Sequence, residues 1–180
     1  MSNSSRRLRA YLDTCIASGL AKRDLAEGQL LALDQILHAA DVGMAELSTS
    51  QVMREELRKI PEAHRSPHIA IYERLLKVPL LPQYTPVSRF HPGQLLAAVW
   101  QEEPRFSELR ALLRDAPDAD HAWQASQNEI PFLITVDRST FLKHKEAIER
   151  ICGLRLVQPN EFLAELALGM SSTLQRRSDQ

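Results

Sequence analysis

A chain of 180 residues, 44% hydrophobic and 25% charged, is long enough to fill one well-packed domain and short for two. Its formal net charge of -1 and pI near 6.6 exclude a general nucleic-acid coat protein, though not a nuclease whose acidic centre is flanked by local Arg and Lys. No apolar run approaches membrane-spanning length, and Met1-Ser2-Asn3-Ser4-Ser5-Arg6-Arg7 has no apolar signal core behind it, so no membrane partner is expected and the cytoplasm is the expected compartment.

Residues 1–8 read as a polar lead-in. The run from Arg9 to Leu12 then ends in Asp13 and Thr14, the pattern of a buried strand that delivers one carboxylate to its carboxyl end, where open α/β sheets bind ligands. Taken alone, such an Asp equally caps the next helix or fills a turn. Downstream, Asp24 with Glu27 has the form of a capping box, and Leu30, Leu33, Leu37 and Ala40 give the stripe of a helix ending near Asp41-Val42-Gly43. Met44–Leu47 is a short strand; Ser48-Thr49-Ser50 caps a helix over Gln51–Ile60, which Pro61 stops. Ser66-Pro67 opens a helix that continues through Ile69, Tyr72, Leu75 and Leu76.

The stretch 79–104 is broken by Pro79, Pro82, Pro86, Pro92 and Pro104, carries a helix over Gly93–Gln101, and reads as an insertion. A helix Phe106–Arg114 follows, ended by Pro117, and a new one starts at Asp118 with small residues at Ala119, Ala122 and Ala125. Ile130–Thr135 is the clearest buried strand, with Asp137 just past its end. A helix Ser139–Arg150, a strand Leu154–Val157 and a helix from about Asn160 to Met170 complete the pattern, and 171–180 reads as a frayed polar tail. Strands alternating with helices predict an α/β fold, a three-layer αβα arrangement around a mostly parallel sheet, in a single domain over residues 1–170.

Four carboxylates recur in comparable settings. In a parallel sheet Asp13 and Asp137 project at the same rim. At 100° per residue, Glu56 falls within the apolar face formed by Val52, Met53, Leu57 and Ile60, whereas Glu55 points away. An acid among core residues costs several kcal/mol unless a cation or hydrogen bonds compensate, so Glu56 is the informative one and Glu55 its alternative. By the same geometry Asp118 shares a face with Ala122 and Ala125, and Asp120 lines up outward with Gln124 and Gln127; Asp118 is then either an inward acid or a plain N-cap after Pro117. Four converging acids need countercharge, and hard oxygen donors suit Mg²⁺ or Mn²⁺. His38, His64, His68, His91, His121 and His144 are scattered, Cys15 and Cys152 have neither metal-ligand nor disulfide spacing, and neither a Gly-rich phosphate loop nor a Gly-x-Ser-x-Gly elbow is present.

With these residues in place the chain resembles PIN domains. Tyr11-Leu12-Asp13-Thr14-Cys15 is similar to their opening strand, where Asp-Thr-Asn is usual; Ser50 with Glu56-Leu57, Asp118-Ala119-Asp120-His121-Ala122 and Phe132-Leu133-Ile134-Thr135-Val136-Asp137 are similar to the second, third and fourth acidic motifs. Val157-Gln158-Pro159-Asn160-Glu161-Phe162-Leu163 looks like the closing strand and proline turn, so the resemblance covers about residues 8–166. It departs at Cys15, where the family has Asn, and in the length of 79–104. The resemblance implies a metal-dependent ribonuclease in which Asp13, Glu56, Asp118 and Asp137 ligate one or two Mg²⁺ or Mn²⁺ ions. Thr14 and Thr135 then act as hydrogen-bond partners of the acids or simply as β-branched strand ends, while Arg54, Arg58, Lys59 and Arg138 grip RNA or remain solvated charges. Trp123 either stacks on a base or belongs to the core. The resemblance further implies a toxin of a toxin–antitoxin pair, with an antitoxin protein and a homodimer as partners. The competing expectations are a non-catalytic module of the same fold that binds RNA or protein, and an aspartyl phosphatase or phosphoacceptor, for which Asp13-Thr14-Cys15 lacks the Asp-x-Asp spacing.

Overall fold

A computed structural model describes residues 7–86, 103–113 and 115–178. The chain begins with β1 (Leu8–Leu12), α1 (Cys15–Lys22), α2 (Glu27–Asp41), β2 (Ala45–Ser48) and α3 (Gln51–Lys59). Then come α4 (Glu62–Arg65), α5 (Ile69–Lys77), α6 (Pro104–Leu112) and α7 (Ala116–Gln127). It closes with β3 (Phe132–Ile134), α8 (Lys145–Cys152), β4 (Arg155–Val157) and α9 (Pro159–Ser178).

The four strands form one parallel sheet in the order β2-β1-β3-β4. Their side chains alternate between its two faces, the period of two that a pleated strand imposes. Ala10, Leu12, Phe132 and Ile134 enter a core with α1, α2, α3, α5 and α9, while Tyr11, Leu133 and Leu156 enter a second core with α6, α7 and α8. Helices thus cover both faces, and the expected three-layer αβα architecture is the observed one. Both central strands are apolar throughout their inner residues because neither face is solvated.

Several local expectations are corrected. Asp24 and Glu27 do not form a capping box: α2 starts at Glu27 behind Ala26, without a side-chain cap, and the Asp24 backbone N–H closes α1 on Gly19. Ser66-Pro67 lies within a 3₁₀ turn, Ser66–His68, between α4 and α5. Pro117 does not separate two helices but sits in the first turn of α7, where a missing N–H leaves no hydrogen bond unmade. The helix placed over Ser139–Arg150 is shortened because the Asp137 side chain organises a turn first, followed by a 3₁₀ segment at Leu142–His144. The terminal helix does not stop near Met170; its backbone stays helical to Ser178. The helix expected over Gly93–Gln101 lies outside the described residues. The neighbouring residues 79–81 form a parallel bridge at Thr49↔Leu80, with Thr49 N–H donating to the Pro79 carbonyl and Leu81 N–H to the Thr49 carbonyl.

Candidate functional site

The sheet order creates a switch point. From β1 the chain moves out to β2 on one side and later returns to β3 on the other, and the crevice beyond the carboxyl ends of such a strand pair is where open α/β sheets bind ligands. Asp13 follows β1 and Asp137 follows β3, so both acids flank this crevice. The ladder extends into it: Asp13 N–H donates to the Ile134 carbonyl at 3.0 Å and Thr135 N–H to the Val157 carbonyl at 3.0 Å. A cleft of about 960 Å³ opens here, and Asp13, Glu56, Asp118 and Asp137 all line it.

Each acid is positioned differently. Asp13 is 2% exposed, and the Thr135 hydroxyl donates to its Oδ2 at 2.8 Å. The same hydroxyl accepts the Asp137 N–H at 3.1 Å, so one threonine ties the ends of both strands together. Glu56 is half-buried on α3 and accepts from the Ser18 hydroxyl at 3.3 Å; the Ser50 hydroxyl caps that helix by accepting Met53 N–H at 3.1 Å. Asp118 sits in the first turn of α7, where the macrodipole favours an acid. It is not the helix cap, a position taken by Asp115. Asp137 Oδ1 accepts three bonds, from Ser139 N–H at 2.8 Å, the Ser139 hydroxyl at 2.6 Å and Thr140 N–H at 3.1 Å.

Electrostatics separates the acids further. Burial, then the charges of Asp13, Asp115 and Asp137, push the Asp118 carboxyl up to about 6. Burial also raises Asp137, but the Ser139 and Thr140 hydrogen bonds outweigh it and leave the carboxyl below its ordinary value. Burial, then the Asp13 charge, push the Cys15 thiol well up, so this sulfur stays protonated and unreactive. It accepts the Val136 N–H at 3.2 Å and lies 3.2 Å from the Thr135 hydroxyl, bracing the turn beside Asp13.

Glu55 is exposed and bonded to Gln51. Asp120 is turned from the cleft, but not outward to solvent. It accepts at 3.1 Å from Gln124, which is buried and clamps the backbone of Tyr84 through two 2.8 Å bonds. Of the cations expected near the acids, Arg138 lines the cleft, whereas Arg54 donates to the Val78 carbonyl within the fold and neither Arg58 nor Lys59 reaches the cleft. Trp123 is 4% exposed and stacks edge-on with Phe106, which assigns it to the core. Among the titratable lining residues, Lys22 and Asp115 were not singled out in the sequence, and His121 was read only as one of six scattered histidines. Asp115 carried a signal in the spacing Asp115-Ala116-Pro117, a cap ahead of a first-turn proline. The other two carried none.

No protein-family model, no curated protein and no solved structure matches this chain. The chemistry of the cleft therefore rests on its own residues. Its acids offer hard oxygen donors of the kind that suit Mg²⁺ or Mn²⁺, and the repulsion that adds to burial in raising Asp118 is what a divalent cation would relieve. Among the described residues, however, no three His, Cys, Asp or Glu side chains close around one point. The donor set fits such a cation in chemistry and requires side-chain closure to hold it. Among the described residues, no helix is long and apolar enough to cross a membrane.

Proposed function

We propose that the chain is a metal-dependent endoribonuclease of the PIN type. The observation that carries this reading is the gathering of Asp13, Glu56, Asp118 and Asp137, from the ends of β1 and β3 and from α3 and α7, in one cleft at the switch point of a parallel sheet, which Asp24 and Asp115 also line, with Lys22 and Arg138 beside them. A site that handles a phosphodiester needs anionic ligands for a cation and separate cations for phosphate oxygens, and this cleft carries both.

Asp13, Glu56, Asp118 and Asp137 are the residues that would hold Mg²⁺ or Mn²⁺. Such a cation supplies Lewis acidity: activation of water near neutral pH and stabilisation of charge on phosphoryl oxygens. The protein's part is orientation. Thr135 fixes the Asp13 carboxylate, and the turn at Ser139 and Thr140 keeps Asp137 ionised. Lys22 and Arg138 meet the phosphate charge. In the hydrolysis, water would form the new bond to phosphorus and give up one proton as the bond to the leaving oxygen breaks, and that oxygen would take up one proton. A role as the toxin of a toxin–antitoxin pair, with an antitoxin and a homodimer as partners, belongs to the same proposal and rests on the resemblance.

Cleavage of RNA in Mg²⁺ or Mn²⁺, and its loss in chelator, tests the reading directly. Asp13→Asn and Asp137→Asn should each abolish cleavage with the far-UV circular dichroism unchanged, and Asp120→Asn, outside the cleft, should retain most of it. Cleavage of DNA alone, or equal loss in all three variants, would overturn it. The open arrangement of the acids favours a second reading, a module of the same fold that binds RNA or protein without turnover; retained RNA binding with no cleavage in any divalent metal would select it.

A further inference from the structure

Tyr11 and His121 are buried polar side chains for which the metal chemistry has no use. The Tyr11 hydroxyl lies 2.6 Å from His121 Nδ1, and Thr14 Oγ1 lies 2.7 Å from His121 Nε2. Three side chains, from β1, the turn after it and the body of α7, thus make one continuous chain, and His121 and Thr14 line the cleft.

Counting hydrogens gives this chain a direction. The Tyr11 hydroxyl is buried, so its one hydrogen needs an acceptor, and His121 Nδ1 lies within hydrogen-bond reach. Tyr11 then donates its single hydrogen to Nδ1. A neutral imidazole that accepts at Nδ1 carries its hydrogen on Nε2, and Thr14 Oγ1 is the acceptor within reach. Thr14 stands at the N-cap of α1 and makes no capping bond there. Its hydroxyl hydrogen is therefore left to point into the cleft.

We propose that Tyr11 and His121 form a positioning relay that holds the Thr14 hydroxyl as a donor into the cleft, where it takes a non-bridging oxygen of a phosphodiester. The identity of that oxygen rests on the nuclease reading; the direction of the relay does not. Tyr11 and His121 touch no substrate and act only through Thr14.

Long-range ¹H–¹⁵N correlation spectra of the full chain, metal-free at neutral pH, separate the two neutral imidazole tautomers from the imidazolium, and loss of the signal in His121→Asn assigns it. The expected spectrum places His121 in the Nε2–H form. Tyr11→Phe should move it toward Nδ1–H, because Nδ1 loses its donor and Thr14 can turn to donate to Nε2. In cleavage assays Tyr11→Phe and Thr14→Val should each lower kcat about tenfold, the worth of one hydrogen bond, with KM unchanged, and Thr14→Ser should restore it. A wild-type Nδ1–H or imidazolium signal, a tautomer unmoved by Tyr11→Phe, or full activity in Thr14→Val would each overturn the relay. Absence of cleavage by the wild type would remove the nuclease reading instead, and the tautomer spectra would still decide the relay.

Discussion

Asp118 carries the charge balance of the cleft in its own titration. Its carboxyl stands at about 6 against an ordinary Asp value of about 4, so between these values the folded protein binds the proton that the unfolded chain has released. Stability therefore falls as pH rises through that window and rises again on acidification. In metal-free protein Asp118→Asn should be more stable than wild type at neutral pH by about 1 kcal/mol, an amount reduced by solvent at a half-exposed side chain. It should also lose the slope in that window; urea midpoints across pH measure both, and a variant no more stable than wild type at neutral pH would contradict the crowding of acids. Asp137 works in the opposite sense: its lowered value contributes stability above the ordinary carboxylate range that is lost as pH falls through its folded value. The inward placement of Glu56 and Asp118 was legible in the sequence, because helical angle alone separates them from Glu55 and Asp120. His121 was not, since its partners Tyr11 and Thr14 lie 110 and 107 residues away and only the tertiary fold brings them together.

At the level of elements, the strands were more legible than the helix ends. A buried parallel strand needs a continuous apolar run, and Arg9–Leu12 and Ile130–Thr135 advertise themselves that way. Helix boundaries depend on which polar groups reach which backbone groups: Asp24 and Ser66 each carried a cap signal that the tertiary arrangement did not use, and Pro117, expected to end one helix, stands in the first turn of the next. Gln124 on α7 illustrates the same gap. Its amide is buried and holds both backbone groups of Tyr84, while Asn128 at the end of α7 donates to the Pro82 carbonyl at 3.1 Å. Replacing Gln124 by Ala removes both bonds to Tyr84, an exposed residue whose freed groups turn to water, at a net cost of about 0.5–1.5 kcal/mol each. Hydrogen exchange at the Tyr84 amide should accelerate with it; an unchanged exchange rate would mean that the clamp is not what holds this segment on α7.

For the whole molecule, the order β2-β1-β3-β4 decides where chemistry can happen. A parallel sheet covered on both faces leaves its strand ends as the accessible edge, and the reversal of direction at β1 opens the crevice between Asp13 and Asp137. The alternation of strands and helices made the layers legible, whereas the strand order came only from the pairing register. The proposed function requires this crevice to be a divalent-cation site built from Asp13, Glu56, Asp118 and Asp137. Calorimetric titration of Mg²⁺ and Mn²⁺ into wild type and Asp118→Asn decides this. Saturable binding to the wild type, strongly weakened in the variant, is the expected result; no binding up to millimolar metal, or equal binding in both proteins, would contradict it.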